Sequence, residues 1–108
     1  MSKISDLDAL ADAALIDRTR MPGVVSESQR LMHDSDAEVR SAAVGIAFFA
    51  VRQVLPGLSP AERVALCDAV AIDLEAAIAA GVVGPRKMLG NVLRGVLRKV
   101  RESDGQLE

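Results

Sequence analysis

Apolar residues recur every three or four positions along most of this chain, in blocks separated by short breaks rich in Pro, Gly, Ser and Asp. That spacing marks amphipathic helices, and no run keeps up the strict alternation of a half-buried strand. Val82-Val83 is too short to form one. Five helices are predicted. The first covers about residues 6–20, with Leu7, Leu10, Ala11, Ala14 and Leu15 on one stripe and Asp8, Asp12 and Asp17 off it. Met21-Pro22-Gly23 is expected to end it, because proline disfavours helix in the residue before it and glycine permits a turn. The second, about 24–33, presents Val24, Leu31 and Met32.

The third helix, about 36–55, has a different pattern. Its polar residues gather at the start (Glu38, Arg40, Ser41) and return only at Arg52 and Gln53. Between them Ala42–Val51 is apolar on every face, and a helix hydrophobic all round is buried all round. The other helices should therefore pack about it. This uninterrupted run of 10 residues is half of the roughly 20 needed to span a bilayer.

Pro56-Gly57 stops the third helix, and Ser59 caps the fourth, with Pro60 at the first helical position and Gly81 as its C-cap. Leu66, Val70, Leu74 and Ile78 recur every fourth residue of this helix, about 60–80. Cys67, Ala71 and Ala77 widen that stripe, and Glu62, Asp68, Asp73 and Glu75 are assigned to the opposite side. The fifth helix runs from about 85 to 102, and the SDGQLE tail is expected to fray from about residue 103.

Three breaks carry the spacing of a capping box, in which a hydroxyl and a carboxylate three residues later satisfy free amides of the first turn. These are Ser5 with Asp8, Ser35 with Glu38 and Ser59 with Glu62. With 108 residues there is room for one core. The predicted fold is all-α: a single domain over 1–108, a compact array of about five helices around a buried central one.

Within residues 24–55, the stretch Leu31–Leu55, LMHDSDAEVRSAAVGIAFFAVRQVL, resembles the second half of a HEAT repeat: a helix end, an Asp-rich turn and a Val-Arg-x-Ala-Ala helix. The matching residues are Leu31, Asp34, Asp36, Val39, Arg40, Ala42 and Ala43. A second copy, offset by 46 residues, aligns Arg40 with Arg86 but has Pro85 in place of Val39 and no Asp-rich turn. Solenoids bury their faces with three or more repeats, and this chain has room for two at most. The resemblance implies that the Asp and Arg pin the turn, and that the protein offers a binding surface rather than an active site.

The composition leaves little for chemistry: one His, one Cys, two Phe, and neither Trp nor Tyr. His33 beside Asp34 and Asp36 invites a metal or general-base reading, but one His with two carboxylates is a poor ligand set, and both Asp are explained as turn and cap residues. Cys67 lies in an apolar arc and reads as packing. GVVGPRK at 81–87 lacks the spacing of a phosphate loop and no strand precedes it. No nucleophile–base pair, paired catalytic carboxylates or cofactor site is found, and an enzyme is not expected. Gly45, Gly90 and Gly95 inside helices each cost about 1 kcal/mol relative to Ala, for which close helix approach would compensate.

Charge supplies the functional lead. Residues 1–85 hold 7 basic and 12 acidic side chains, a balance of −5, and residues 86–108 hold 6 and 3, a balance of +3. On the fifth helix Met88, Leu89, Val92, Leu93, Val96, Leu97 and Val100 span one broad apolar face. Lys87, Arg94, Arg98 and Arg101 fall in a narrow arc opposite, with Asn91 beside them, and are the candidate partner-binding residues, joined by the early polar turn of the third helix.

The expected partner is a protein with an acidic surface, and a homo-oligomer is compatible with the same surface. Nucleic-acid phosphates are the alternative, set second because no aromatic adjoins the ridge for base stacking. A membrane surface comes third, since the helix lacks anchoring Trp or Phe. One cysteine and a charged start point to the cytoplasm. The Ala- and Arg-rich composition fits a bacterial or phage protein. The function read from the sequence is thus a non-enzymatic adaptor, inhibitor or immunity-type regulator.

Overall fold

The computed structural model describes residues 2–107. Its elements are α1 (Lys3–Ile16), α2 (Met21–Leu31), α3 (Ala37–Val54), α4 (Pro60–Ala80) and α5 (Arg86–Glu102), with 3₁₀ turns at Arg18–Arg20 and Leu55–Gly57. No strand occurs among the described residues. α3 touches each of the other four helices. Ala43, Ala47 and Ala50 are fully enclosed with Val44 and Val51. Together with Ala14 and Ala77 they let helices approach closely where larger side chains would hold them apart.

Enclosure of α3 is not complete. Gly45, Ile46, Phe48 and Phe49 are only half-buried, and Arg52 stacks over the Phe48 ring at 5.2 Å. The other helices cover this side of the all-apolar stretch only in part. The segment 37–57 is long and apolar enough to cross a membrane, yet more than half of it lies buried as the core of this fold.

The caps divide into one that follows the predicted chemistry and two that do not. Ser59 and Glu62 form the reciprocal capping box of α4. At α3 the cap is Asp36, which accepts from the Glu38 amide at 2.8 Å, while Asp34 accepts from the Asp36 amide at 2.9 Å. A carboxylate one residue nearer the helix thus displaces Ser35. At α1 the cap is Ser2, accepting from Ser5, so the helix begins at Lys3 and Ser5 lies within its first turn.

The boundary between α1 and α2 also moves. α1 stops at Ile16, where Asp17 is extended (φ −120°, ψ 96°) and its carboxylate binds Thr19. Met21-Pro22-Gly23 opens α2 instead of closing α1, because proline in a first turn forfeits no hydrogen bond. The tail is docked rather than frayed. Gly105 (φ 86°) is buried, returns its amide to the Val100 carbonyl at 2.8 Å, and receives Arg63 on its own carbonyl at 3.1 Å. A Cβ at 105 would lie 2.1 Å from the Pro60 carbonyl oxygen, so only glycine fits there.

Two arginines join the elements through backbone oxygens. Arg40, 8% exposed, donates to the carbonyls of Asp34, Ser35, Ala80 and Gly81 at 3.0–3.1 Å. It holds the α2–α3 turn against the end of α4, where a cation also suits the negative pole of the helix. Ser41, fully buried, donates to Ala37 and accepts from the Val83 amide at 2.9 Å. Arg63 donates to the carbonyls of Leu55 and Pro56 as well as Gly105.

Candidate functional site

Of the early polar turn of α3, expected to join the partner surface, Arg40 and Ser41 form the clamp just described, while Glu38 stays exposed. Arg40 and Ser41 face inward because the last carbonyls of α4 and the amide of Val83 need partners. Both are buried and spend their hydrogen bonds within the chain.

α5 carries the rest of the candidate site. Its inner side is Gly90, Leu93, Leu97 and Val100, all buried. A Cβ on Gly90 would sit 3.4 Å from Val44 Cγ1, so glycine sets a close approach of α5 to α3. The apolar arc predicted for this helix covers about half its circumference at 100° per residue, wider than the roughly 100° stripe a core contact takes up. The structure covers one half of that arc. Met88 is 71% and Val92 46% exposed, Val96 is half-buried, and beyond it a cleft of about 350 Å³ opens against Leu107 of the tail. The excess width was the signal, readable in the sequence, that part of this face stays outside.

The ridge is not opposite the covered side but next to it, along the groove with α4. Arg94 makes a bidentate pair with Glu75 at 2.7 and 2.8 Å, and Arg101 meets Asp68 at 2.7 Å. Both pairs are about half exposed, where such contacts are worth about 0–1 kcal/mol. Arg98 lies between them in a groove of about 160 Å³ floored by Ala71, Leu74 and Leu97; Glu75 lines the same groove, but its pair is with Arg94, and Arg98 forms no ion pair among the described residues. Lys87 and Asn91 border a smaller hollow of about 130 Å³ against Ile78, Gly81 and Val82. So of the predicted residues, Arg94 and Arg101 spend their charge within the chain, whereas Lys87 and Arg98 keep theirs. Lys99, not singled out from the sequence, is exposed and likewise unpaired among the described residues.

The acids of α4 explain this division. Asp68 and Glu75 flank the helix and reach α5, and Asp73 reaches the opposite way, to His33 Nε2 at 2.6 Å and Gln29 at 2.9 Å. Beside the exposed Asp68 and Glu75 the outer side of α4 carries alanines and Ile72, the latter 71% exposed.

The remaining titratable groups do not converge: among the described residues no three His, Cys, Asp or Glu side chains could share a metal ion. Asp34 and Asp36 act as turn and cap acceptors. The Lys3 ammonium, and then the Asp36 amide, hold the Asp34 carboxyl below its ordinary range. Cys67 is fully enclosed and its thiol is pushed up to about 11, chiefly by burial and then by the neighbouring Asp68 charge. A thiol so placed is a poor nucleophile. No family model, curated protein or solved structure matches the chain, so the functional reading rests on these surfaces.

Proposed function

We propose that this protein is a non-enzymatic, protein-binding module, a cytoplasmic adaptor, inhibitor or immunity-type regulator, which docks an acidic partner on the outward face of α5. The observation that carries the reading is the combination there of exposed Met88 and Val92 with cations that form no ion pair among the described residues, Lys87, Arg98 and Lys99. Apolar area supplies affinity, and unpaired charge supplies steering and register. Arg94 and Arg101 belong to the rim: exchanging Glu75 or Asp68 for a partner carboxylate gains little.

The HEAT-like half repeat agrees with this reading, since its Arg40 pins a turn and leaves helical surfaces for recognition. A bacterial or phage origin agrees with the composition. Nucleic acid is the weaker reading: the formal charge is −2 and both phenylalanines lie on α3, away from the outward face of α5.

The test is affinity capture from the native cell with nuclease present, comparing the parent, Lys87→Glu/Arg98→Glu/Lys99→Glu, and a control reversal on α1, Asp12→Lys. The triple variant should keep its helical circular dichroism and lose the co-purifying protein, and the control should retain it. Retention by the triple variant, or a mobility shift of duplex DNA at low salt, removes the reading.

A further inference from the structure

A glycine stands at the centre of the outward face of α5. Gly95 follows Asn91 and Val92 by four and three residues and precedes Arg98 and Lys99 by three and four, so these side chains surround it on the helix surface. Met88 lies one turn further back. Glycine weakens a helix interior relative to alanine, and two reasons usually account for it: a positive φ or a crowded neighbour. Neither applies here. The residue is helical and is not among the positive-φ glycines, and a Cβ built on it meets nothing within 4 Å. Gly90 on the inner side has its reason in Val44, 3.4 Å from the Cβ position. Gly95 has no such neighbour among the described residues.

We infer that Gly95 is the crossing point for an acidic amphipathic helix of the partner. This rests on α5 being the docking face, and it adds the partner's shape and charge. A helix laid across a glycine comes closer than one held off by a side chain, and closer packing brings its flanks within reach of Arg98 and Lys99 on one side of the notch and Lys87 and Met88 on the other. Charge chooses the occupant. Among the described residues the face carries Lys87, Arg98 and Lys99 against the one carboxylate of Glu102, so the same face of a second copy would set cation against cation, whereas a helix flanked by Asp and Glu is matched.

The probe is a displayed library of helical peptides of about 18 residues, roughly five turns, with one face randomised, selected on the whole folded protein. Enriched peptides should carry Asp or Glu beside an apolar stripe. Their affinity should fall about tenfold or more for Gly95→Met and about threefold for Gly95→Ala, while neither substitution lowers the melting temperature. A gain in fold stability together with a loss of binding is what a merely structural glycine would not give.

If acidic peptides are selected and lost with Lys87→Glu/Arg98→Glu, but bind Gly95→Met as well as the parent, the crossing point is wrong and the docking face stands. If no peptides or only basic ones are enriched, both fall. A duplex DNA that displaces the selected peptides from the parent overturns the partner class.

Discussion

Gly90 and Gly95 are five residues apart on the same helix and are held there by different forces. Around Gly90 every neighbour is within the chain: Val44 of α3, Leu74 and Ile78 of α4. Gly95 is half-buried among the side chains of its own helix, and a Cβ there would meet nothing within 4 Å. The inner side of α5 is therefore set by packing, where a methyl group matters, and the outer side is free to be set by something else. Local sequence does not distinguish them. Each is a glycine inside a helix, at the same intrinsic penalty.

The contrast can be broken or sharpened by substitution. The largest effect is expected at the clamp that holds the α2–α3 turn against the end of α4. Arg40→Met removes donors from four carbonyls and should destabilise the fold by about 3–5 kcal/mol in urea unfolding. Truncating the inner side comes next: Leu97→Ala, at 1% exposure, should cost about 2–4 kcal/mol, against less than about 0.5 for Met88→Ala outside.

The same replacement at the two glycines should then differ in sign. Gly90→Leu overpacks against Val44 and should cost about 1–3 kcal/mol, whereas Gly95→Leu should be neutral or raise stability by up to about 1 kcal/mol. Equal losses at both would mean that the outer side is packed after all. Among the ion pairs, Glu75→Gln should shift stability by less than about 1 kcal/mol, and by less again in high salt.

Acid titration tests the turn and cap carboxylates, which hold the helix starts and not the faces of α5. The Asp34 and Glu62 carboxyls are held below their ordinary values, the first by Lys3 and the second by the Ser59 amide and hydroxyl. A lowered folded pKa means the unfolded chain takes up protons first. The stabilisation is complete above the unfolded values of 3.8 and 4.5 and fades as pH falls through the lower folded ones. Melting temperature should therefore drop below about pH 4, and Glu62→Gln should flatten that drop. At the alkaline end the sign reverses for Cys67. Its thiol titrates near 11 when folded, against 9.0 as the ordinary value, so stability erodes as pH rises through that interval. At pH 8, modification of Cys67 by a thiol reagent should require opening of the fold and be far slower than that of a free thiol, speeding up in urea.

Much of this fold was legible where chemistry is local. Ser59, Pro60 and Glu62 start α4, and Gly81 ends it, because cap and turn residues act on atoms within one turn. The central place of α3 followed from an apolar stretch with no polar side to offer water. The first boundary was misplaced because Pro22 suits the start of a helix as well as its end, and Asp17, an ordinary surface residue by pattern, made the break. The docked tail was invisible in sequence, since it depends on Arg63, 42 residues away, and on the Pro60 carbonyl.

The sequence by itself determined five helices, most of their limits and the cationic character of the last one, since propensity, caps and periodicity all operate within a few residues. Only the tertiary structure decided which half of the α5 apolar arc is covered, and which of its cations are left without partners. Those outcomes depend on where Glu75, Asp68 and Val44 come to lie, and residues distant in the chain acquire a distance from α5 only when the helices pack.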